Sequence, residues 1–431
     1  MNKIVEKKHL LAFVLVTCCF ALWGFANDIT NPMVKAFSKI FRMSVTDGAL
    51  VQLAFYGGYF CMALPAALFV RKFSYKAGLL MGLGLYAVGA LMFIPAKVMG
   101  SYYPFLIAYF VLTCGLSFLE TTANPYILSM GSKDTATRRL NLAQAFNPIG
   151  SLAGMFVAMQ FIQAKLNPLS TEERALLPED QFEAVKSADL TILSRPYIII
   201  GAVLVAFFLV ILLLVKTQTK TEESNDQKFV PTVKRLWQNK PYRYGVVAQF
   251  FYVGVQIMCW TFIIQYGTRV FMNEGMTEQA AEVLSQRYNI MAMAVFCASR
   301  FICTFLLKYI PPSKLLTYLG IVGALLILGV IFFDGRAGMY CLVAVSACMS
   351  LMFPTIYGIA LTDTGDDAKL GAAGLIMAIL GGSVLPPLQA YIIDSNGLGS
   401  IASVNISFVL PLICFFVIVV YGRFIAKTQK Q

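Results

Sequence analysis

Glu120 stands in the middle of IAYFVLTCGLSFLETTANPYILSM, the run from Ile107 to Met130. Such a run can cross a bilayer as a helix, which takes about 20 predominantly apolar residues. A charged side chain at that depth costs on the order of 3 kcal/mol on insertion scales. An acid placed there therefore faces a protein interior or a watery cavity and marks a path for substrate, ion or proton. On a helix, Ser117 and Asn124 share the face of Glu120. Pro125 then removes one backbone hydrogen bond and favours a bend. The competing reading is a protonated glutamate that only packs, hydrogen-bonded to a neighbouring helix.

A second acid closes the first apolar run, in ANDITNP. Asp28 and Asn31 lie one turn apart on one face with Asn27 close by, giving a carboxylate and two carboxamides. Pro32 breaks or bends the helix there. An interfacial loop is the alternative, although KAFSKIF, with its own cations, looks more like the true exit.

Amides recur deeper in the chain. Asn141, Gln144 and Asn147 fall at intervals of three, and Gln249, Gln256 and Trp260 repeat at near-helical spacing before Gln265. A carboxamide can donate to one hydroxyl and accept from another, which suits neutral polyols. An aromatic ring beside such amides suits a sugar, with its apolar face and polar edges. Taken singly, each amide is as well explained as interhelical glue worth about 0.6 kcal/mol. Their concentration in spans one, four, five and seven favours a lined cavity. In span eight, Asn289 follows Tyr288 near one end, and Arg300, with Lys308 after it, reads as a gate anchor or a snorkelling cation. Pro354 in FPTIYG and the Gly-Pro interruptions of LGGSVLPPLQAY suit helices that bend during transport.

These residues have to be held by membrane helices. The chain is 58% hydrophobic and 13% charged, with a mean hydropathy of +0.71, far outside the soluble globular range. Twelve spans are predicted, near 9–31, 47–70, 76–96, 102–130, 138–164, 193–216, 242–269, 284–308, 314–333, 338–362, 370–393 and 401–425. The formal charge of +12 would suggest nucleic acid in a soluble protein. Here the cations fall in short segments between spans, so no nucleic-acid partner is expected. Their bias places both termini in the cytoplasm and the segment from Lys165 to Arg195 outside. The first run lacks a small-residue cleavage pattern and reads as a retained span rather than a secretion signal.

The ten cysteines all fall inside predicted spans and are expected to be buried packing residues. A single histidine, His9, cannot supply a His-rich metal site or a Ser-His-Asp constellation. No metal, no cofactor other than a coupling proton and no enzymatic activity are therefore expected.

The polar piece from Thr217 to Lys240 divides the spans six and six, predicting an N-terminal bundle over 1–216, a cytoplasmic linker over 217–240 and a C-terminal bundle over 241–431. RKFSYKAGLLMGLGLYAVGALMF and KYIPPSKLLTYLGIVGALLILGVIFF echo each other, as do Gly150-Ser151 and Gly382-Ser383. Two parallel six-helix halves with a substrate site near the midplane is the major facilitator arrangement.

ALWGFANDITNP, LETTANPYIL, RRLNLAQAFNPIGS, YVGVQIMCW, FPTIYG and ILGGSVLPPLQAYIID resemble, in order and spacing, the L-fucose:proton symporter family of the major facilitator superfamily, over essentially the whole chain. The resemblance implies an all-α membrane protein of two pseudo-symmetric bundles that takes up L-fucose, galactose, glucose or a related sugar with a proton. It implies that Glu120 is the family's span-four carboxylate, and that Gln144, Asn147, Gln256 and Trp260 face a central cavity. One departure matters: the family carries an amide at the position of Asp28 and a titrating aspartate at that of Asn31, and here the two are exchanged.

The expectation is import of a neutral monosaccharide, L-fucose first, by alternating access in a bacterial inner membrane. The chain is expected to act as a monomer, with sugar, protons and membrane lipid as its partners. Asp28 and Glu120 would couple the proton, while Asn27, Asn31, Asn124, Gln144, Asn147, Gln256, Trp260 and Asn289 bind the sugar, with Arg300 and Pro354 in the gate. A galactose or glucose symporter and an uncoupled sugar facilitator are the alternatives.

Overall fold

The computed structural model describes residues 5–30, 33–43, 50–169, 171–215, 229–333, 335–394 and 402–428. All regular structure among them is helical. In chain order the helices are α1 (Leu10–Thr30), α2 (Met33–Ile40), α3 (Leu50–Lys72), α4 (Tyr75–Leu91), α5 (Phe93–Met99), α6 (Tyr102–Ser129), α7 (Ala136–Gln144), α8 (Asn147–Val157), α9 (Thr171–Ala175) and α10 (Glu179–Leu214). There follow α11 (Phe229–Gln238), α12 (Lys240–Asn273), α13 (Glu278–Leu306), α14 (Pro312–Phe332), α15 (Arg336–Met349), α16 (Met352–Leu361), α17 (Ala368–Met377), α18 (Gly381–Asp394), α19 (Ser403–Ser407) and α20 (Val409–Thr428).

Among the described residues, twelve helical stretches are long and apolar enough to span a membrane, from Leu10–Thr30 through Ser403–Thr428. Most match the hydropathy reading within a few residues; three differ in instructive ways. The fifth breaks at Ala145 and Phe146, because Pro148 lacks the N–H that would bond the carbonyl of Gln144 and its ring would crowd that turn. Gln144 and Asn147 therefore end one helix and begin the next, and the amides from Asn141 onward do not form one continuous ribbon. The sixth begins well before residue 193: α10 starts at Glu179, after Pro178, with Glu179 and Asp180 in its first turn, where acids favour the helix dipole. The tenth is two helices, with Ser350 and Leu351 between α15 and α16.

The chain divides into two compact units, one of Lys7–Tyr126 with Ile149–Gln227, the other of Met1–Glu6, Ile127–Pro148 and Lys228–Gln431. In the first, glycines bring backbones together, the usual device where lipid supplies no hydrophobic drive. A Cβ on Gly150 would overlap the carbonyl oxygen of Ala21, and one on Gly154 would reach that of Phe25, so α8 lies directly on α1. Rings of Phe37, Phe93, Phe105, Tyr109 and Tyr197 close one end, with Phe93 stacked on Tyr197 at 4.1 Å and Tyr109 and Tyr197 sharing a 2.7 Å hydrogen bond.

The second unit repeats this construction. Gly381 of α18 lies on the carbonyl of Phe250 in α12 as Gly150 lies on Ala21. Helix α14 packs on α20 as α4 packs on α10. The glycine-rich echo in the sequence thus marks the same helix crossing twice.

The cysteines differ from expectation. All ten are free thiols, but Cys18 and Cys61 are exposed on their helices, and Cys297 and Cys341 are half-buried. A thiol behaves as a small hydrophobe, so an outward position facing acyl chains suits it as well as a buried one.

Candidate functional site

Asp28 lies within the last turn of α1 and is only 6% exposed. It interacts electrostatically with Tyr56 of α3. Glu120, in the second half of α6, is 1% exposed. Its neighbour on α3 is Tyr59, one turn from Tyr56. Each acid thus acts on a tyrosine of the same stretch of α3, and neither tyrosine figured in the sequence reading. Tyrosine in an apolar span is too common a packing residue to signal this by itself.

Glu120 has one atom, Oε2, that is buried without a hydrogen bond to any described residue. Ser117, predicted to share its polar face, donates instead to the backbone carbonyl of Tyr59 at 3.1 Å and ties α6 to α3. Asn124 is fully buried one turn beyond Glu120, and Asn27 is partly exposed beside Asp28. Asn31 lies outside the described residues.

The other predicted residues belong to the second unit. Gln144 is 5% exposed at the end of α7, and Asn147 is half-buried at the start of α8. Gln256 and Trp260 are half-buried on one face of α12. The indole N–H of Trp260 donates to Oγ of Ser346 on α15 at 3.2 Å, and its ring meets Phe296 of α13 edge-on at 5.0 Å. Those contacts fix the ring in one orientation. Phe296 lies one turn before Arg300, whose guanidinium sits 5.0 Å from its centroid, a cation–π contact.

Arg300 does not snorkel. It is 4% exposed, its Nε has no hydrogen-bond partner among the described residues, and its surroundings are Phe296, Tyr252, Cys297 and Cys303. Gln249, one turn before Tyr252, is fully buried with neither amide atom paired among the described residues. Asn289 is half-buried toward the start of α13 and stands next to Tyr288, whose ring lies 6.0 Å from that of Tyr340.

Pro354 is buried in the first turn of α16, and α16 receives α7. Asn141 Nδ2 donates to Oγ1 of Thr355 at 3.1 Å, Gly358 faces the side chain of Thr137, and Lys133 Nζ lies 3.4 Å from Oδ1 of Asp363. Arg139, fully buried, fixes the start of α7 by donating Nε to the carbonyl of Ile127 at 2.6 Å and Nη1 to Thr135 Oγ1 at 3.1 Å. It also reaches the carbonyls of Leu128 and Gly131, so one guanidinium satisfies the open end of α6. No group of three or more His, Cys, Asp or Glu able to hold a metal occurs among the described residues.

Buried acids, isolated amides and an oriented indole on membrane helices are the furniture of a solute carrier, and comparison with known proteins agrees. The family model of the Major Facilitator Superfamily matches residues 16–384. The L-fucose-proton symporter of Haemophilus influenzae is 52% identical over 428 residues, covering 97% of each chain. The chain belongs to the L-fucose-proton symporter family of the major facilitator superfamily. The L-fucose-proton symporter of Escherichia coli K12 is 32% identical over 99% of this chain and 95% of its own. The crystal structure of the major facilitator transporter FucP in the outward conformation superposes with a TM-score of 0.87 at 31% identity, covering 97% of this chain and 99% of that one. The major facilitator fold expected from the motifs is the fold found.

Proposed function

We propose that this protein imports a neutral monosaccharide, L-fucose first among them, together with a proton. The observation that carries the reading is Glu120: a carboxyl group 1% exposed within the fourth membrane span, in a chain that buries a second acid, Asp28, in its first span and is similar over its length to proteins named L-fucose-proton symporters.

A carboxylate in such surroundings is costly while charged and inexpensive once protonated. A proton taken from the outer medium neutralises the group, lets the loaded protein change conformation, and leaves when the site meets the inner solution. Asp28 supplies the coupling acid in place of the family's aspartate one turn later, with Asn31 as its amide partner, and Glu120 shares the work. The carboxamides of Asn27, Asn124, Gln144, Asn147, Gln256 and Asn289 pair with sugar hydroxyls, each donating and accepting. Trp260, held by Ser346 and Phe296, offers its face to the apolar side of the ring. Access alternates between the membrane's two sides as the bundles over 1–216 and 241–431 rock about the 217–240 linker. Arg300 and Pro354 act in the gate.

No bond of the sugar is made or broken, and the proton is the only accessory. The cation bias of the segments between spans supports cytoplasmic termini in a bacterial inner membrane, and the chain works as a monomer. Purified protein in proteoliposomes, given labelled L-fucose, galactose or glucose with and without an inward proton gradient, tests this. Gradient-dependent accumulation of L-fucose, abolished by a protonophore, is expected. Uptake that never exceeds equilibrium would make the protein a facilitator, and preference for galactose or glucose would reassign the substrate.

A further inference from the structure

Helix α11 has more apolar surface than its bundle covers. Thr232 and Leu236, one turn apart, are its buried residues, and Leu236 reaches the site of Gly371, where an added Cβ would meet its Cδ2 at 3.4 Å. Arg235 clamps Asp367 through Nε at 2.9 Å and Nη2 at 2.8 Å. These contacts fix the rotation of α11 about its axis. At 3.6 residues per turn, Phe229, Val233, Trp237 and Val230 then occupy an arc of about 100° adjoining the buried edge. They are exposed by 41%, 41%, 61% and 72%. Lys234 and Gln238 lie beyond that arc, on the polar side.

Cations gather at the same end of the unit. Helix α12 starts at Lys240, and Arg243 lies over the rings of Trp237 at 6.0 Å and Tyr244 at 5.1 Å. Tyr244 packs edge-on against Phe424 at 5.1 Å, and Tyr421 donates to the carbonyl of Pro241, so α20 delivers Arg423 and Lys427 to this end. Lys234, Lys240, Arg243, Arg423 and Lys427 form no ion pair with any described carboxylate. An exposed apolar stripe with a Trp and a Tyr, flanked by unpaired cations at the ends of membrane spans, has the make-up of a helix lying in the headgroup layer.

We propose that α11 is an interfacial helix that binds anionic phospholipid. Phe229, Val230, Val233 and Trp237 enter the acyl boundary of the adjoining leaflet, and Lys234, Arg243 and the cations of α20 hold phosphate headgroups. The occupant is the bilayer itself: a leaflet offers both an apolar layer and a negative surface at the level where a span begins. Through the Arg235–Asp367 clamp the lipid contact also bears on the turn Gly365–Asp367 that leads into α17.

Tryptophan quenching by phospholipid brominated near the headgroup end of its acyl chains tests this on the full chain in nanodiscs. The difference between the parent protein and Trp237→Phe isolates the signal of Trp237. Brominated phosphatidylglycerol in a phosphatidylcholine background is expected to quench Trp237 at least twofold more than brominated phosphatidylcholine at the same mole fraction. In Lys234→Gln/Arg243→Gln that preference is expected to vanish while quenching by brominated phosphatidylcholine persists, showing the helix still seated. No quenching of Trp237 by either lipid would mean the stripe faces water or another protein, and equal quenching by both in the parent would mean insertion without anion recognition. Either result overturns the proposal.

Discussion

Asn141 donates one hydrogen bond to the hydroxyl of Thr355, 3.1 Å away and 214 residues later in the chain, and another to the carbonyl of Thr137 at 2.9 Å. Both side chains are fully buried, so removing one strands the other. Asn141→Ala is expected to cost about 1–3 kcal/mol, the usual penalty for a buried polar group left unpaired. Asn141→Ala/Thr355→Val should cost less than the sum of its parts. Thermal unfolding of the purified single and double variants measures both, and strict additivity would show that the contact carries no energy.

Asp28→Asn keeps the shape of the side chain and removes its proton. Uphill sugar uptake driven by a proton gradient is expected to fall at least tenfold, while exchange of labelled for unlabelled sugar at equilibrium continues. Accumulation at the parental level would remove Asp28 from coupling and leave Glu120 to carry it alone.

Arg174 and Asp189 form a pair that is fully enclosed, with Nη2 to Oδ2 at 2.6 Å and side-chain exposures of 0% and 1%. The same arginine donates to the carbonyls of Leu169 and Asn167, and Asp189 Oδ1 accepts from the N–H of Asn167 at 2.9 Å. One pair thus pins the segment ahead of α10. Asp189→Leu is expected to destabilise the protein by about 3–5 kcal/mol, because it abandons a buried guanidinium, and Arg174→Met/Asp189→Leu to recover much of that loss. Chemical unfolding of the three variants distinguishes this from a merely local effect.

Glu274, just past the end of α12, accepts from Arg336 Nε at 3.0 Å and Nη2 at 2.8 Å. These hydrogen bonds, helped by the charge of Arg336, hold its carboxyl group below its ordinary value of 4.5. A carboxyl with a lowered folded-state value contributes stability above its unfolded value and loses it as pH falls through the lowered one. The melting temperature of the parent should therefore exceed that of Glu274→Gln by a small margin at neutral pH, since the pair is exposed. Below pH 4.5 the margin should shrink toward zero. A margin independent of pH would assign the effect to packing.

Much of the architecture was legible from residues alone. Spans were readable because crossing hydrocarbon demands a local property, some 20 consecutive apolar residues with every backbone group bonded internally. Buried acids such as Glu120 were readable because their cost in lipid makes accidental placement rare. The sequence also announced its own repeat, though one residue out of register: the backbone crossing that answers Gly150 falls at Gly381, not at the Gly382 of the Gly-Ser echo, because only Gly381 lies against a helix carbonyl.

Partners were not legible. Within a membrane both lipid and protein interior are apolar, so hydropathy cannot say which face of a span meets which. That is why Cys18 and Cys61 proved exposed, and why Arg300, read as a gate anchor or a snorkelling cation, proved enclosed beside Phe296 rather than snorkelling. Only the packed helices decided that Ser117 bonds the backbone of α3, that Ser346 orients Trp260, and that Asn141 meets Thr355. Hydrogen bonds between spans depend on which helices lie side by side and at what rotation, and side-chain spacing along a single helix does not encode either.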